Sequence, residues 1–346
     1  TFGFSASMAL KTIHPMVVYH MAWAPFILMF YRISLKDFSL KHSLYTGLLL
    51  GISMLSGHPQ SSAFVMLFAL AYGIFSIVEM VKSNALALNF NTILKGVFIG
   101  AVPFLLAFGI SAVQFIPAKE LADLSERSAI TYEKTADGSM QLSQLVTGAM
   151  PNIYGKAFPN REEPQFMLTQ PRNDKKFVET HYYWDTAFYF GVVPLILGLY
   201  YLFVRFNAAF SLFSIIMALL ALMYALGDNG FLHPMLQNLP FIGSFRNPAR
   251  ILFVLSFCFA VLAGLGFDHL RSRQGEKEVR KRFLISVSIP VNIGFLTLTG
   301  LLGDWLSFSE ILQKHSTEAV VHLLIFSALA MIIGHLLNKT SISPTI

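Results

Sequence analysis

The chain has 346 residues, 55% of them hydrophobic and only 13% charged, with a mean hydropathy of +0.59. A soluble globular chain carries roughly twice that charge, and the formal net charge of +6 resides in short loops, not on the basic face a nucleic-acid partner requires. One cysteine, Cys258, excludes an intrachain disulfide and reads as a small buried apolar residue.

Apolar runs recur along the chain, most of them long enough to cross a hydrocarbon core about 30 Å thick. In order they are His14–Tyr31, Ser43–Leu55, Ala63–Val81, Leu94–Phe115, Thr186–Phe203, Ala209–Leu226, Ile251–Leu270, Phe283–Leu302 and Ala319–Leu337. The first is the least apolar and the second is short. Backbone groups in lipid must be satisfied within each segment, so helices are expected. The fold class is an all-α membrane protein, a polytopic bundle of about nine transmembrane helices with a small external insertion. It divides into helices 1–4 over residues 1–116, the external segment over 117–185, and helices 5–9 over 186–346.

Loop charge orients the set. Arg32, Lys36 and Lys41 follow the first run, Lys82 and Lys95 separate the third and fourth, and Arg205 follows the fifth. After the seventh come Arg271, Arg273, Lys277, Arg280, Lys281 and Arg282 against Glu276 and Glu278, a net +4. These loops alternate as cytoplasmic under the positive-inside rule. The N-terminus is then external and the C-terminus cytoplasmic. Pro117–Asp185 has 8 basic and 10 acidic residues, a net −2, and such length predicts a folded insertion. Within it, Lys156 to Lys176 reads as loop. Thr1 is no initiator Met, and no charged segment precedes an apolar run, so the chain reads as an internal or C-terminal fragment.

Candidate chemistry collects on the external side. The turn Ser56-Gly57-His58-Pro59-Gln60 reverses the chain, and Gly and Pro explain the reversal. His58 and Gln60 are either solvated there or recognise a polar ligand. Gln114, Glu120, Asp123 and Arg127 stand where the fourth run meets the insertion. Asp123 and Arg127 are four apart and suit a helical ion pair. Glu120 is a base, a cation or sugar ligand, or the partner of a basic residue. His181-Tyr182-Tyr183-Trp184 suits an interfacial aromatic anchor or a sugar-stacking face. Asp228 and His233 share this side, whereas Asp268 and His269 lie beside the basic loop.

In Phe245-Arg246-Asn247-Pro248-Ala249-Arg250, Asn247 is the expected N-cap and Pro248 the first helical residue. A helix N-terminus is already partly positive. Arg246 and Arg250 beside it call for headgroup contacts, an acid such as Glu120, or a phosphate ligand. No HExxH, Cys-pair, Walker or dinucleotide motif is present, and no metal site is expected. No small-xxx-small face stands out.

SGHPQ, AVQFIPAKELADLSERS, LVTGAMPNIYG, YYWDTAFYFGVVPLILGL and LPFIGSFRNPARILFVLSFCFAVLAGLGFDHL occur in this order over about Ile13 to Leu270. Together they resemble the bacterial YfhO-like membrane proteins, a family similar to GT-C type glycosyltransferases. The resemblance implies a multispan enzyme of the bacterial cytoplasmic membrane. Such an enzyme takes a sugar from a polyprenyl-phosphate donor on the external face and passes it to an envelope glycan or lipid acceptor. Members of that type place an essential acid in the first external loop, which is expected upstream of Thr1. Glu120 does not match that position and stands as the acidic candidate within this chain. The resemblance implies substrate-binding positions at His58, Gln60, Gln114, Arg127, Asn152, Arg246 and Arg250. The competing expectation is a non-enzymatic transporter, flippase or scaffold in envelope polysaccharide or lipid assembly. The span interiors carry few acids and bases, which disfavours ion-coupled transport.

Overall fold

The computed structural model describes residues 2–83, 90–125, 131–151, 168–171, 177–180, 183–239, 242–298 and 316–337. Among them, nine helices are 13 residues or longer: α1 (Pro15–Asp37), α2 (Leu40–Met54), α3 (Pro59–Lys82), α4 (Phe90–Asp123), α5 (Val192–Val204), α6 (Ala209–Ala225), α7 (Phe253–Ser272), α8 (Lys277–Leu298) and α9 (Ser316–Leu336). They overlap the nine apolar runs of the sequence, although α5 starts six residues after the expected Thr186 and α8 six before the expected Phe283, and fewer than nine suffice as spans. Five helical stretches are long and apolar enough to cross a membrane: α1, α3, α4, Pro248–Ser272 and the Ala319–Leu336 part of α9. A sixth is reached if α5 and α6, bent by 119° across four residues, form one broken span. The protein is therefore an all-α, multi-pass membrane protein by helix length and composition. At 15 residues, α2 reaches only about 22 Å, and α8 begins inside the basic loop.

The helices segregate by packing. One compact unit comprises Thr1–Leu10, Ala136–Met235 and Asn247–Ile346, and the other Lys11–Thr135 with Leu236–Arg246. In the second unit α1 buries Val17, Met21, Ala24, Leu28, Tyr31 and Leu35, the three-and-four spacing of a single helix face. That face packs on α2 and α3, and α2 packs on α4. The α2–α4 contact is close because Gly47 and Gly51 lie on it. A Cβ at Gly47 would stand 2.9 Å from the Pro103 carbonyl and the Leu106 Cβ, and one at Gly51 2.9 Å from the Ile110 Cβ. Ser43, four residues earlier, donates to the Ile99 carbonyl at 2.7 Å. Ser43-xxx-Gly47-xxx-Gly51 is thus a small-residue seam that the sequence reading passed over.

α4 also corrects an expected boundary. It runs to Asp123 through Pro103 and Pro117, eight residues beyond the predicted end at Phe115. A proline removes one backbone hydrogen bond, and a helix can continue when its other bonds hold.

In the first unit, Ile196 and Tyr200 of α5, Leu270 of α7, Val279, Phe283 and Val287 of α8, and Phe326 and Ala330 of α9 form one core. A second core joins Met140, Phe188 and Phe190 to Ala225, Ala249, Leu252 and Leu255. The insertion contributes a short helix, Tyr132–Ala136, a 3-10 segment, Leu142–Gly148, and an antiparallel ribbon of β1 (Leu168–Pro171) and β2 (Phe177–Thr180) in the register Leu168 to Thr180. The described part of the stretch expected as loop therefore includes strand β1.

Candidate functional site

The unit of residues 11–135 and 236–246 brings several predicted residues together. Gly57, at φ +88, makes the reversal before α3, a conformation that suits glycine. His58 then caps α3: its Nδ1 accepts from the Ser61 N–H at 3.2 Å and lies 2.9 Å from the Ser61 hydroxyl. An Nδ1 that accepts places the proton of the neutral ring on Nε2. Gln60 is buried and donates through Nε2 to the Arg246 carbonyl. That bond ties the SGHPQ turn to the GSFR segment, and the Phe64 and Phe245 rings meet edge-on at 5.4 Å beside it.

A cavity of about 290 Å³ lies next to this junction. Met54, Met66, Leu67, Phe108, Phe115 and Phe245 are among its apolar walls, and Ser62, Ser111 and Gln114 its polar ones. Gln114 also stands beside the turn, its Nε2 3.8 Å from where a Gly57 Cβ would be. Arg246 is exposed, and its Nε donates to the Lys134 carbonyl at 3.3 Å. Glu120 is exposed near the end of α4 and does not line the cavity. It lies six residues past Gln114, or about 9 Å along the helix. Arg127 and Asn152 lie outside the described residues.

His20 is not among the candidates the sequence offers. It is fully buried on α1, with Nδ1 3.0 Å from the Ser62 hydroxyl and 3.4 Å from the Ser53 hydroxyl. Its Nε2 has no hydrogen-bond partner among the described residues. The His20 and His58 ring centres are 6.3 Å apart. The signal was available: a histidine inside an apolar run must find partners or a function.

The other unit holds Arg250, and its acid is Asp185. The Arg250 Nε and the Asn247 Nδ2 each lie 3.3 Å from Asp185 Oδ2. Asp185 is 2% exposed and Arg250 19%. Asn247 takes the expected N-cap position with Pro248 in the first turn, but its side chain does not cap. Its backbone is left-handed at φ 53, no side-chain cap bond forms, and a 3-10 segment, Pro248–Leu252, precedes α7. The side chain turns to the buried carboxylate instead. Asp185 was countable in the sequence, but its partner lies 65 residues away. The clue was an acid among the aromatic residues Tyr182, Tyr183 and Trp184, directly before an apolar span.

His233 is buried against the Tyr224 ring, with centres 5.2 Å apart. Burial lowers its pKa below 6.5, opposed by the nearby Asp228 carboxylate. Among the described residues no group of three or more His, Cys, Asp or Glu could hold a metal ion. The first unit's buried ion pair is suited to fixing a loop onto a helix start. The second unit's apolar cavity with amide and hydroxyl groups suits a hydrocarbon chain carrying a polar end. No protein-family model, no curated protein and no solved structure matches the chain.

Proposed function

We propose that the chain belongs to a membrane glycosyltransferase, GT-C-like in fold, that moves a sugar from a polyprenyl-phosphate donor to an envelope glycan or lipid acceptor. In this reading it sits in the bacterial cytoplasmic membrane with its N-terminal end external. One observation carries the proposal: an apolar cavity of about 290 Å³ adjoins the polar junction of His58, Gln60, Gln114 and the Arg246 backbone. Part of a hydrocarbon chain would occupy the cavity, while the amides and imidazole would orient the sugar or acceptor hydroxyls.

Arg246, exposed at this junction, is the guanidinium proposed to meet the donor phosphate, whose charge grows as the anomeric bond breaks. Arg250, held at Nε by Asp185 in the other unit, is assigned the fixing of that unit's helix start. Glu120 is the acidic candidate in this chain for the general base that activates the acceptor hydroxyl. The anomeric carbon then inverts as the acceptor oxygen attacks and the polyprenyl phosphate departs.

The test uses purified full-length protein with polyprenyl-phosphate-linked radiolabelled sugar and an envelope extract as acceptor. Release of polyprenyl phosphate together with labelled acceptor is the expected result. Ala63, on the cavity wall, changed to Trp should slow turnover at least about tenfold while the protein stays folded, since overfilling a packed site excludes the ligand. Movement of the labelled lipid across a vesicle bilayer without sugar transfer would replace the proposal with transport. Neither transfer nor movement would leave the scaffold reading.

A further inference from the structure

The cavity beside the Gln60–Arg246 bond has Ser62, Ser111 and Gln114 in its otherwise apolar wall. Both serines are 2% exposed, and their hydrogens are turned to the backbone. The Ser62 hydroxyl donates to the His58 carbonyl at 3.3 Å, and the Ser111 hydroxyl to the Phe108 carbonyl at 3.4 Å. Such back-bonding to the preceding turn is a habit of helical serines. A hydroxyl has one hydrogen and two lone pairs. Toward a further partner, each serine is therefore an acceptor.

His20 closes off the alternative for Ser62. Its Nδ1 stands 3.0 Å from the Ser62 hydroxyl and 3.4 Å from the Ser53 hydroxyl, while its Nε2 is sealed from solvent with no hydrogen-bond partner among the described residues. The neutral ring carries one proton. Buried donors go unmet more rarely than buried acceptors, which assigns that proton to Nδ1, facing the two serines. Ser62 then receives a hydrogen from the ring and cannot give its own to it, so one lone pair of its oxygen is left for an occupant. Gln114 supplies the complement. It is half-buried and makes no hydrogen bond among the described residues, so its amide offers an N–H as well as a carbonyl.

We infer that this cavity selects an alcohol carried on a hydrocarbon chain. The ligand hydroxyl would donate to the Ser62 oxygen and accept from the Gln114 Nε2–H, with its chain against Met54, Met66 and Leu67. An ether or an ionised phosphodiester brings no hydrogen, and leaves the serine oxygens unmet. Resting on the transferase reading, this assigns the cavity to a lipid acceptor recognised by its hydroxyl, rather than to the donor's hydrocarbon. His20 is a positioning residue in it, acting through Ser62.

The experiment photolabels the full chain in phosphatidylcholine nanodiscs with a diazirine-bearing octanol. Octanol, octyl methyl ether and methyl octyl phosphate then compete at equal membrane concentrations. Label should fall on the wall segments, residues 54–67 and 108–118, and octanol should compete at least about fivefold better than either analogue, the factor for one unmet buried acceptor. Ser62→Ala, with unaltered circular dichroism, should lose the preference for octanol over its ether. His20→Leu frees the Ser62 hydrogen to meet an ether and should shrink the preference, whereas His20→Asn keeps a donor near the Nδ1 position and should retain it; a packing role alone would not separate the two. Equal competition by octanol and its ether, stronger competition by the phosphodiester, or an unchanged preference in Ser62→Ala would overturn the inference. An octanol preference in protein that transfers no sugar would uphold the alcohol site and remove only its assignment to an acceptor.

Discussion

Replacing Asp185 by Ala tests whether the carboxylate fixes the start of the seventh long helix. The wild-type Oδ2 is 3.3 Å from both the Arg250 Nε and the Asn247 Nδ2, with the carboxylate 2% exposed. Removing one member of a buried ion pair costs about 3–5 kcal/mol, because the other charge is left without compensation. Arg250 keeps 19% of its side-chain surface in contact with solvent, and both bonds are longer than the usual hydrogen bond. Water therefore recovers part of the loss, and the expected cost is about 2–3 kcal/mol. Equilibrium unfolding in mixed dodecyl-maltoside and SDS micelles, followed by circular dichroism, measures it. Arg250→Met fills a similar volume without charge, and the Asp185→Ala, Arg250→Met double variant should cost at least about 1 kcal/mol less than the sum of the single changes. A single Asp185→Ala cost below about 0.5 kcal/mol, or a strictly additive cycle, would refute the pairing as the anchor of this segment.

Gly47→Ala should destabilise the other unit by about 1–3 kcal/mol in the same assay, since its Cβ would stand 2.9 Å from the Pro103 carbonyl. An equally stable variant would show that α2 and α4 separate without cost. Ser62→Ala removes the group 3.0 Å from His20 Nδ1 and should cost about 1 kcal/mol; thermal melting of the purified protein reads it. His233 has a folded pKa below its unfolded value of 6.5 because burial disfavours the charged ring. The unfolded chain therefore binds the extra proton first, and this contribution, complete above pH 6.5, declines as pH falls toward the folded pKa. His233→Gln should flatten the fall in unfolding free energy between pH 7 and 5, and an unchanged slope would reject His233 as its source.

The apolar runs made the long helices among the described residues legible, because backbone satisfaction acts locally, but only five of them, or six with α5 and α6 as one broken span, are long and apolar enough to cross a membrane. The end of α4 was less legible: the apolar run stops at Phe115, yet the helix carries on through Pro117 to Asp123. The bond from Gln60 to Arg246 spans 186 residues, and no local pattern reports which carbonyl an amide will find. In the sequence its two sides read only as a turn and a separate helix start. Asn247 occupies the helix-start position its residue type suggests, while the buried carboxylate of Asp185 draws its amide away from the backbone. His20 was hidden in a run read for its hydrophobicity, and Gly47 and Gly51 were passed over because a four-residue spacing of glycines shows no partner until the facing helix is in place.

The bend between α5 and α6 bears on how lipid must meet the protein. With 13 and 17 residues, the arms are about 20 and 26 Å long, each less than a bilayer interior of about 30 Å. A short arm invites thinning of the surrounding leaflets or brings irregular chain to hydrocarbon depth, where bare peptide groups are tolerated only when sheltered by protein. The five residues before α5 have that shelter on one side: Ala187, Phe188 and Phe190 are buried, and the two phenylalanines sit in the core formed with Ala225, Ala249 and Leu252. In thicker bilayers these short arms meet a larger hydrophobic mismatch, so membrane thickness should bear on the stability of this part of the chain.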